Sequence, residues 1–582
     1  MPSGTRPSTF TTILLVRGRS LSLAIAALCA LSSVATARVP SEAADLALRN
    51  GAVYTLDGAR TWAQAVAIRA GRIVYVGTDA GLASHVGVRT RVVDLHGRML
   101  LPGFQDAHIH PISSGIQANS CDLSGVKSVA EYVEAVRQYA AAHPEEAWIT
   151  GGGWLMSTFG PGGRARRELL DAVVPNRPVY LTSSDGHTVW VNTRALELAH
   201  ITADTPDPPD GRIDRDPETH EPLGTLQEGA SAPVDAVLPQ PTSAQRIAGL
   251  EYALRLLNGY GITAMQDAAV YEEDLKTYRA LERRGALSVH VVAALWWEHT
   301  EGLEQIGRFE RLRRQYRSAL VDPGTVKIMQ DGVMENYTAV LLEPYDLPGE
   351  VRGIPMVEPE LLREAVTRLD AAGFQVHFHA VGDGAVREAL DAIATARAHN
   401  GDLGHRHHLA HLELIDPADV PRFRELGAAA NFQPLWAYAD DYITQLTIPF
   451  LGPERSGRLY PIGSVYRSGA VVAFGSDWSV SSANPLEEIQ VAVTRMDPAG
   501  GTEPLLPQER IALPEALAAF TINTAWVNRL EKETGSIEVG KRADLVVLDR
   551  NLFAIPVTEI AHTRALVTLF GGRVVHGDLA AL

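Results

Sequence analysis

Cysteine is nearly absent from this chain: Cys29 and Cys121 are the two among 582 residues. A framework of several disulfides is therefore excluded, and so is a zinc site built from several thiolates. Lys/Arg-rich runs are also lacking. With 52 basic against 69 acidic residues the formal charge is −17, which repels a nucleic-acid backbone, so no nucleic-acid partner is expected. Long apolar runs are scarce. The one near the start, Leu21 to Ala35, is too short and too rich in small residues for a comfortable membrane span.

That run follows Arg6, Arg17 and Arg19 and ends in Ala35-Thr36-Ala37. A basic start, a short apolar centre and an A-x-A site predict a signal peptide over 1–37, hence a secreted or periplasmic protein with no membrane attachment after cleavage. An uncleaved N-terminal anchor is the rival reading. A lipoprotein signal is disfavoured, because Leu28 stands before Cys29 where a small residue is wanted. Cleavage leaves Cys121 alone, rules out an intrachain disulfide and takes the net charge to about −20.

The remaining composition, 46% hydrophobic and 21% charged, is that of a globular enzyme. From Asp45 to Val76 and again from Ala543 to Gly577, short alternating runs separated by glycine turns predict strands. Segments 44–100 and 535–582 are thus expected to pair into one small β-sandwich built from both termini. Between them, over 101–534, eight short apolar runs alternate with helical stretches: GFQDAHIH, GITAMQD, LSVHVVAAL, TVKIMQD, GFQVHFHAVGD, HHLAHLEL, GAAANFQP and AVVAFGSDW. That pattern predicts an α/β fold, a (β/α)8 TIM barrel. A doubly wound sheet is the alternative, although it would not place polar residues at the ends of so many strands. The first connection, about 112–241, is too long for a structureless loop and reads as an inserted subdomain over the barrel mouth.

His108 and His110 stand two apart on the first strand, so both imidazoles face one side, as a divalent metal requires. With 19 histidines an H-x-H pair alone is weak. Lys327, His379, His411 and Asp477 follow at the ends of later strands. Each has a bland alternative: Lys327 in an ion pair with Asp331, His411 as one of the crowded histidines 405–411, His379 sharing a face with His377, and Asp477 capping a helix. Together, in that order, they point to a metal centre.

These motifs resemble the amidohydrolase superfamily, and more narrowly its YtcJ-like branch, which includes N-substituted formamide deformylases. The resemblance spans about Ala44 to Gly577. It implies a metal-dependent hydrolase that cleaves a carbon–nitrogen bond of a small molecule, an amide, formamide or cyclic amide, with metal-activated hydroxide. It further implies that His108, His110 and Asp477 bind one ion, that His379 and His411 bind a second, and that Lys327 bridges them as a carbamate. Zinc, one or two per chain, is the expected ion, although this ligand set also accepts manganese, cobalt or iron. Asp477 is expected to shuttle the proton from water to the leaving nitrogen, and His187 to contact the substrate or oxyanion. Trp154 is read as packing rather than as a substrate contact. The chain departs from the family at Ala410, where a glutamate usually stands. Ester, lactone or carbamate hydrolysis on the same centre, or a catalytically silent periplasmic binding or regulatory protein, are the competing readings. The sequence leaves the substrate and any homo-oligomer open.

Overall fold

A computed structural model describes residues 43–160 and 162–582. The expected signal segment lies outside these residues.

Eight parallel strands form the centre: β1 (Phe104–Ile109), β2 (Ile262–Val270), β3 (His290–Trp296), β4 (Val321–Met329), β5 (Gln375–Ala380), β6 (His408–His411), β7 (Ala429–Phe432) and β8 (Val471–Phe474). They are the eight runs picked out above, and each pairs with its sequence neighbour. Their residues are buried along almost their whole length, as expected of strands enclosed on both faces. Helices return the chain between them. The one leading into β2, Ser243–Gly259, starts at a capping box in which Thr242 and Gln245 satisfy each other's backbone N–H groups.

No strand ladder joins β8 to β1. The barrel closes just beyond β8 instead: the Asp477 N–H donates to the His108 carbonyl at 2.7 Å, and the His110 N–H to the Trp478 carbonyl at 3.1 Å. The buried Asp106 carboxylate reinforces the seam. It accepts from the Ser476 hydroxyl at 2.6 Å, from the Ser476 N–H, and from the His108 N–H at 3.0 Å. Glycine is required at 475, because a Cβ there would lie 2.4 Å from the His108 nitrogen.

Two further sheets come from the two ends of the chain. One runs in the order Arg72–Gly77, Ala65–Arg69, Leu46–Arg49, Arg91–Asp94. The other runs Arg573–Gly577, Ala565–Phe570, Leu545–Leu548, Met99–Pro102, Ala52–Tyr54, Trp62–Ala63. Leu48, Val66 and Ile68 of the first and Leu100, Val547 and Leu569 of the second share one apolar core, which makes a β-sandwich. Met99–Pro102 pairs antiparallel with Leu545–Leu548, joining the two ends of the sequence.

The long first connection carries its own six-stranded sheet, from Cys121–Asp122 to Pro222–Glu228. Trp154 is fully buried in it, donating its indole N–H to the Leu181 carbonyl at 2.9 Å and packing edge-on against Phe159 and Trp190. It is a packing residue. Among the described residues no helix is long and apolar enough to cross a membrane.

Candidate metal centre

Register decides which side chains meet inside the barrel. Lys327 on β4 is level with His377 on β5, which is level with His408 on β6. Paired residues in a parallel sheet point to the same face, so these three form one interior layer. His379, two residues beyond His377, faces inward one step nearer the mouth, level with Ala410. His411 is level with Ala380, and alternation alone would turn it outward. Its φ of +79° breaks the alternation and swings the ring into the mouth. Asp477 takes a positive φ as well, +52°. Such backbones cost on the order of 1–3 kcal/mol each in a non-glycine residue and persist where the surroundings hold them.

The result is a convergent cluster. Asp477 Oδ1 lies 3.1 Å from His110 Nε2 and 3.5 Å from His108 Nε2, while Oδ2 lies 3.8 Å from His411 Nδ1. The His411 ring is 4.7 Å from that of His108 and 4.3 Å from that of His379. His187, from the turn between two strands of the insert, lies 5.2 Å from His379. All six residues expected to bind metal, and His187, line one cavity of about 1650 Å³ at the C-terminal ends of the strands. The described geometry groups His411 with His108 and Asp477, whose ligand atoms all lie within 4.8 Å of one another.

Two of the bland alternatives, the Lys327 ion pair and the Asp477 cap, are not what the structure shows, whereas His379 does share its face with His377. No ion pair joins Lys327 to Asp331 among the described residues; Asp331 instead accepts from His379 Nδ1 at 3.1 Å and from the N–H groups of Val340, Val381 and Gly382. The helix after β8 is capped by Asn484, not by Asp477.

Electrostatics suit a cation. Burial drives the His108, His377 and His379 imidazoles well below their usual range and His411 down to about 3, which leaves them neutral with a lone pair available. Burial acts to raise the Asp477 carboxyl, but His110, His411 and Lys327 outweigh it and hold the group below its ordinary value. Burial pushes the Lys327 ammonium down to about 7 against the pull of Asp477 and Asp331, so a substantial neutral fraction exists near pH 7. Both ring nitrogens of His411, and Asp477 Oδ1, are buried with no hydrogen-bond partner. Orphaned lone pairs at such density are costly unless a cation meets them, so the donor set fits a divalent ion.

Several contributors escape a reading of the sequence alone. His377 Nε2 meets His108 Nδ1 at 2.9 Å and fixes that ring's orientation. Asp331 does the same for His379, and Glu228 for His187 through a 2.9 Å contact with Nδ1. Burial disfavours the His187 imidazolium, but the Glu228 carboxylate outweighs it and holds the ring up at about 9. Asp106 could have been suspected from its place two residues before His108. Glu228 lies 41 residues from His187, and no spacing announces it.

The sequence profile of the amidohydrolase family matches residues 91–576, and the chain belongs to that family. Protein LONG AFTER FAR-RED 3 of Arabidopsis thaliana is 32% identical over 545 residues, 91% of each chain. N-substituted formamide deformylase of Arthrobacter pascens is 29% identical over 543 residues, covering 91% of this chain and 97% of the relative. Among solved structures, an uncharacterized metal-dependent hydrolase from Pyrococcus furiosus superposes with a TM-score of 0.67 at 27% identity, over 87% of this chain and 99% of that one.

Proposed function

We propose that this hydrolase cleaves a carbon–nitrogen bond, in an amide, formamide or cyclic amide of a small molecule, at the cluster around Asp477. The observation that carries this reading is the convergence of His108, His110 and His411 on Asp477 beneath a large cavity. The likeness to a protein named N-substituted formamide deformylase supports the choice of bond.

His108, His110 and Asp477 would hold one divalent ion, zinc by preference, with His379 and His411 holding a second and Lys327, carbamylated, between them. The ion supplies Lewis acidity, polarising the carbonyl and acidifying water. The chain's own residues do the rest. The Asp477 carboxylate, kept ionised by its neighbours, takes the proton of the attacking water and delivers it to the leaving nitrogen, which departs as a neutral amine. His187, kept protonated by Glu228, donates to the oxygen that gains negative charge. Lys327, partly neutral near pH 7, can add carbon dioxide with loss of a proton and so exchange an ammonium for an anionic ligand. The export signal adds a location: a secreted or periplasmic enzyme whose mature chain begins at Arg38, which mass spectrometry of the exported protein checks.

Elemental analysis of the purified protein, run beside a panel of N-formyl amines, N-acyl amines, cyclic amides and aryl esters, tests the reading. Metal-dependent turnover of an amide is expected. Full activity after complete metal removal, or turnover of esters with no amide touched, overturns it.

A further inference from the structure

His187 enters the cavity from a tight turn of the insert, between the antiparallel strands Val179–Ser183 and Thr188–Val191. The Asp185 carboxylate shapes that turn: its Oδ1 accepts from the Ser183 hydroxyl at 2.7 Å and from the His187 N–H at 2.9 Å. An aspartate side chain bonded to the backbone two residues on stands in for a backbone turn. By itself such a turn fixes His187 relative to the insert. The metal cluster belongs to the barrel, so a second link has to set the height of the ring above it.

Three barrel connections supply that link. After β7, Tyr442 Oη donates to Asp185 Oδ2 at 3.2 Å while accepting the Met156 N–H at 3.0 Å. After β8, the Val480 carbonyl accepts from Ser184 Oγ at 3.1 Å, and the Val480 N–H donates to the Asp477 carbonyl at 2.7 Å. After β4, Asn336 Nδ2 donates to Thr188 Oγ1 at 3.1 Å, and the Thr338 hydroxyl donates at 2.8 Å to Glu228, the residue that holds the His187 ring. Of the turn residues, Asp185 is the one whose side chain reaches both the His187 backbone and the barrel. Its two oxygens divide the work, Oδ1 facing the turn and Oδ2 facing Tyr442.

We propose that Asp185 and Tyr442 are positioning residues of the reaction: their hydrogen bond holds the turn against the barrel and so sets the His187 ring over the cluster, where it meets the oxygen that gains charge, a role that rests on the hydrolase reading above. Donors to such an oxygen act only within a narrow range of distance, and a displacement of about 1 Å costs on the order of 100-fold in rate. Tyr442 therefore acts on turnover through His187, without touching substrate.

A double-mutant cycle on the metal-loaded protein tests this, run on the fastest substrate of the panel. Tyr442→Phe removes the donor alone and should lower kcat about tenfold, with KM within about twofold of the parent. Asp185→Ala should lose more, and Asp185→Asn, which keeps an oxygen for the His187 N–H, should recover part of the loss. In a His187→Ala background Tyr442→Phe should cost less than about twofold, because the residue it positions is gone. Metal content is expected to be retained throughout. Hydrogen exchange of the peptide spanning 183–188, read by mass spectrometry, needs no substrate: Tyr442→Phe should quicken it about tenfold and leave β1 and β8 at the parent rate. Equal losses with and without His187 place the action of Tyr442 elsewhere and overturn the proposal. So does unchanged exchange of the turn in Tyr442→Phe. Turnover confined to aryl esters, with the coupling to His187 intact, supports the positioning and overturns the carbon–nitrogen reading. Amide turnover with independent losses does the reverse.

Discussion

Replacing Gly475 by alanine tests whether the barrel seam and the site are one structure. The added methyl would stand 2.4 Å from the His108 nitrogen, 2.9 Å from its Cβ and 3.0 Å from Asp106 Oδ1. The nearest obstacle is backbone, so no rotamer change relieves it, and β8 must retreat from β1 by about 1 Å to reach ordinary contact. That retreat stretches the Asp477-to-His108 and His110-to-Trp478 hydrogen bonds, which hold three expected metal ligands in register. Overpacking of this kind costs about 1–3 kcal/mol of stability. A displacement of about 1 Å at reacting groups costs on the order of 100-fold in rate. We therefore expect Gly475→Ala to lose about 100-fold in kcat/KM on an amide substrate and to bind less metal, with a lower thermal midpoint. Gly58→Ala is the control, since a methyl there meets nothing within 4 Å and should change neither quantity. Metal content and kcat/KM of Gly475→Ala within twofold of the parent would refute the reasoning.

Three other outcomes are expected. Asp477→Asn keeps the side-chain shape but loses the proton acceptor, so turnover should fall by about 100- to 10,000-fold while circular dichroism is unchanged; a rate within tenfold of the parent removes Asp477 from proton transfer. Lys327→Ala should lower metal content and rate together, with partial recovery in short carboxylic acids, and retention of two metals per chain at full rate removes Lys327 from the bridge. The His187–Glu228 pair sets a pH dependence. The folded-state pKa of His187 is raised to about 9 from 6.5, so its contribution, roughly 3 kcal/mol, is full below pH 6.5 and lost as pH rises through about 9. The stability gap between the parent and Glu228→Gln, measured by urea unfolding, should be widest near pH 6 and vanish beyond pH 9; a gap independent of pH denies the pairing.

The barrel was legible because eight enclosed strands must be short, apolar and regularly interrupted, and GITAMQD or AVVAFGSDW can be little else. The H-x-H pair was legible for a related reason, since a period of two dictates which face both rings share. His411 was not legible from alternation. Parity turns it away from the centre, and only a left-handed backbone torsion, which no spacing encodes, brings it back. Ala410 is similarly uninformative in one dimension; in the folded chain it stands level with His379, and Asp331, far from it in sequence, orients that ring. Asp185, Tyr442 and Val480 come from three separate connections, so the hydrogen bonds that fasten the His187 turn to the barrel are a property of the fold alone.

The antiparallel pairing of Met99–Pro102 with Leu545–Leu548 has a consequence for how the chain is made. Ala52–Tyr54, Trp62–Ala63 and Met99–Pro102 have to wait, their edge uncovered, until more than four hundred residues have followed and the last strands arrive. Slow, long-range pairing of this kind leaves nascent chains open to aggregation. Clipping even the final forty residues should therefore forfeit soluble protein, although no expected metal ligand lies among them.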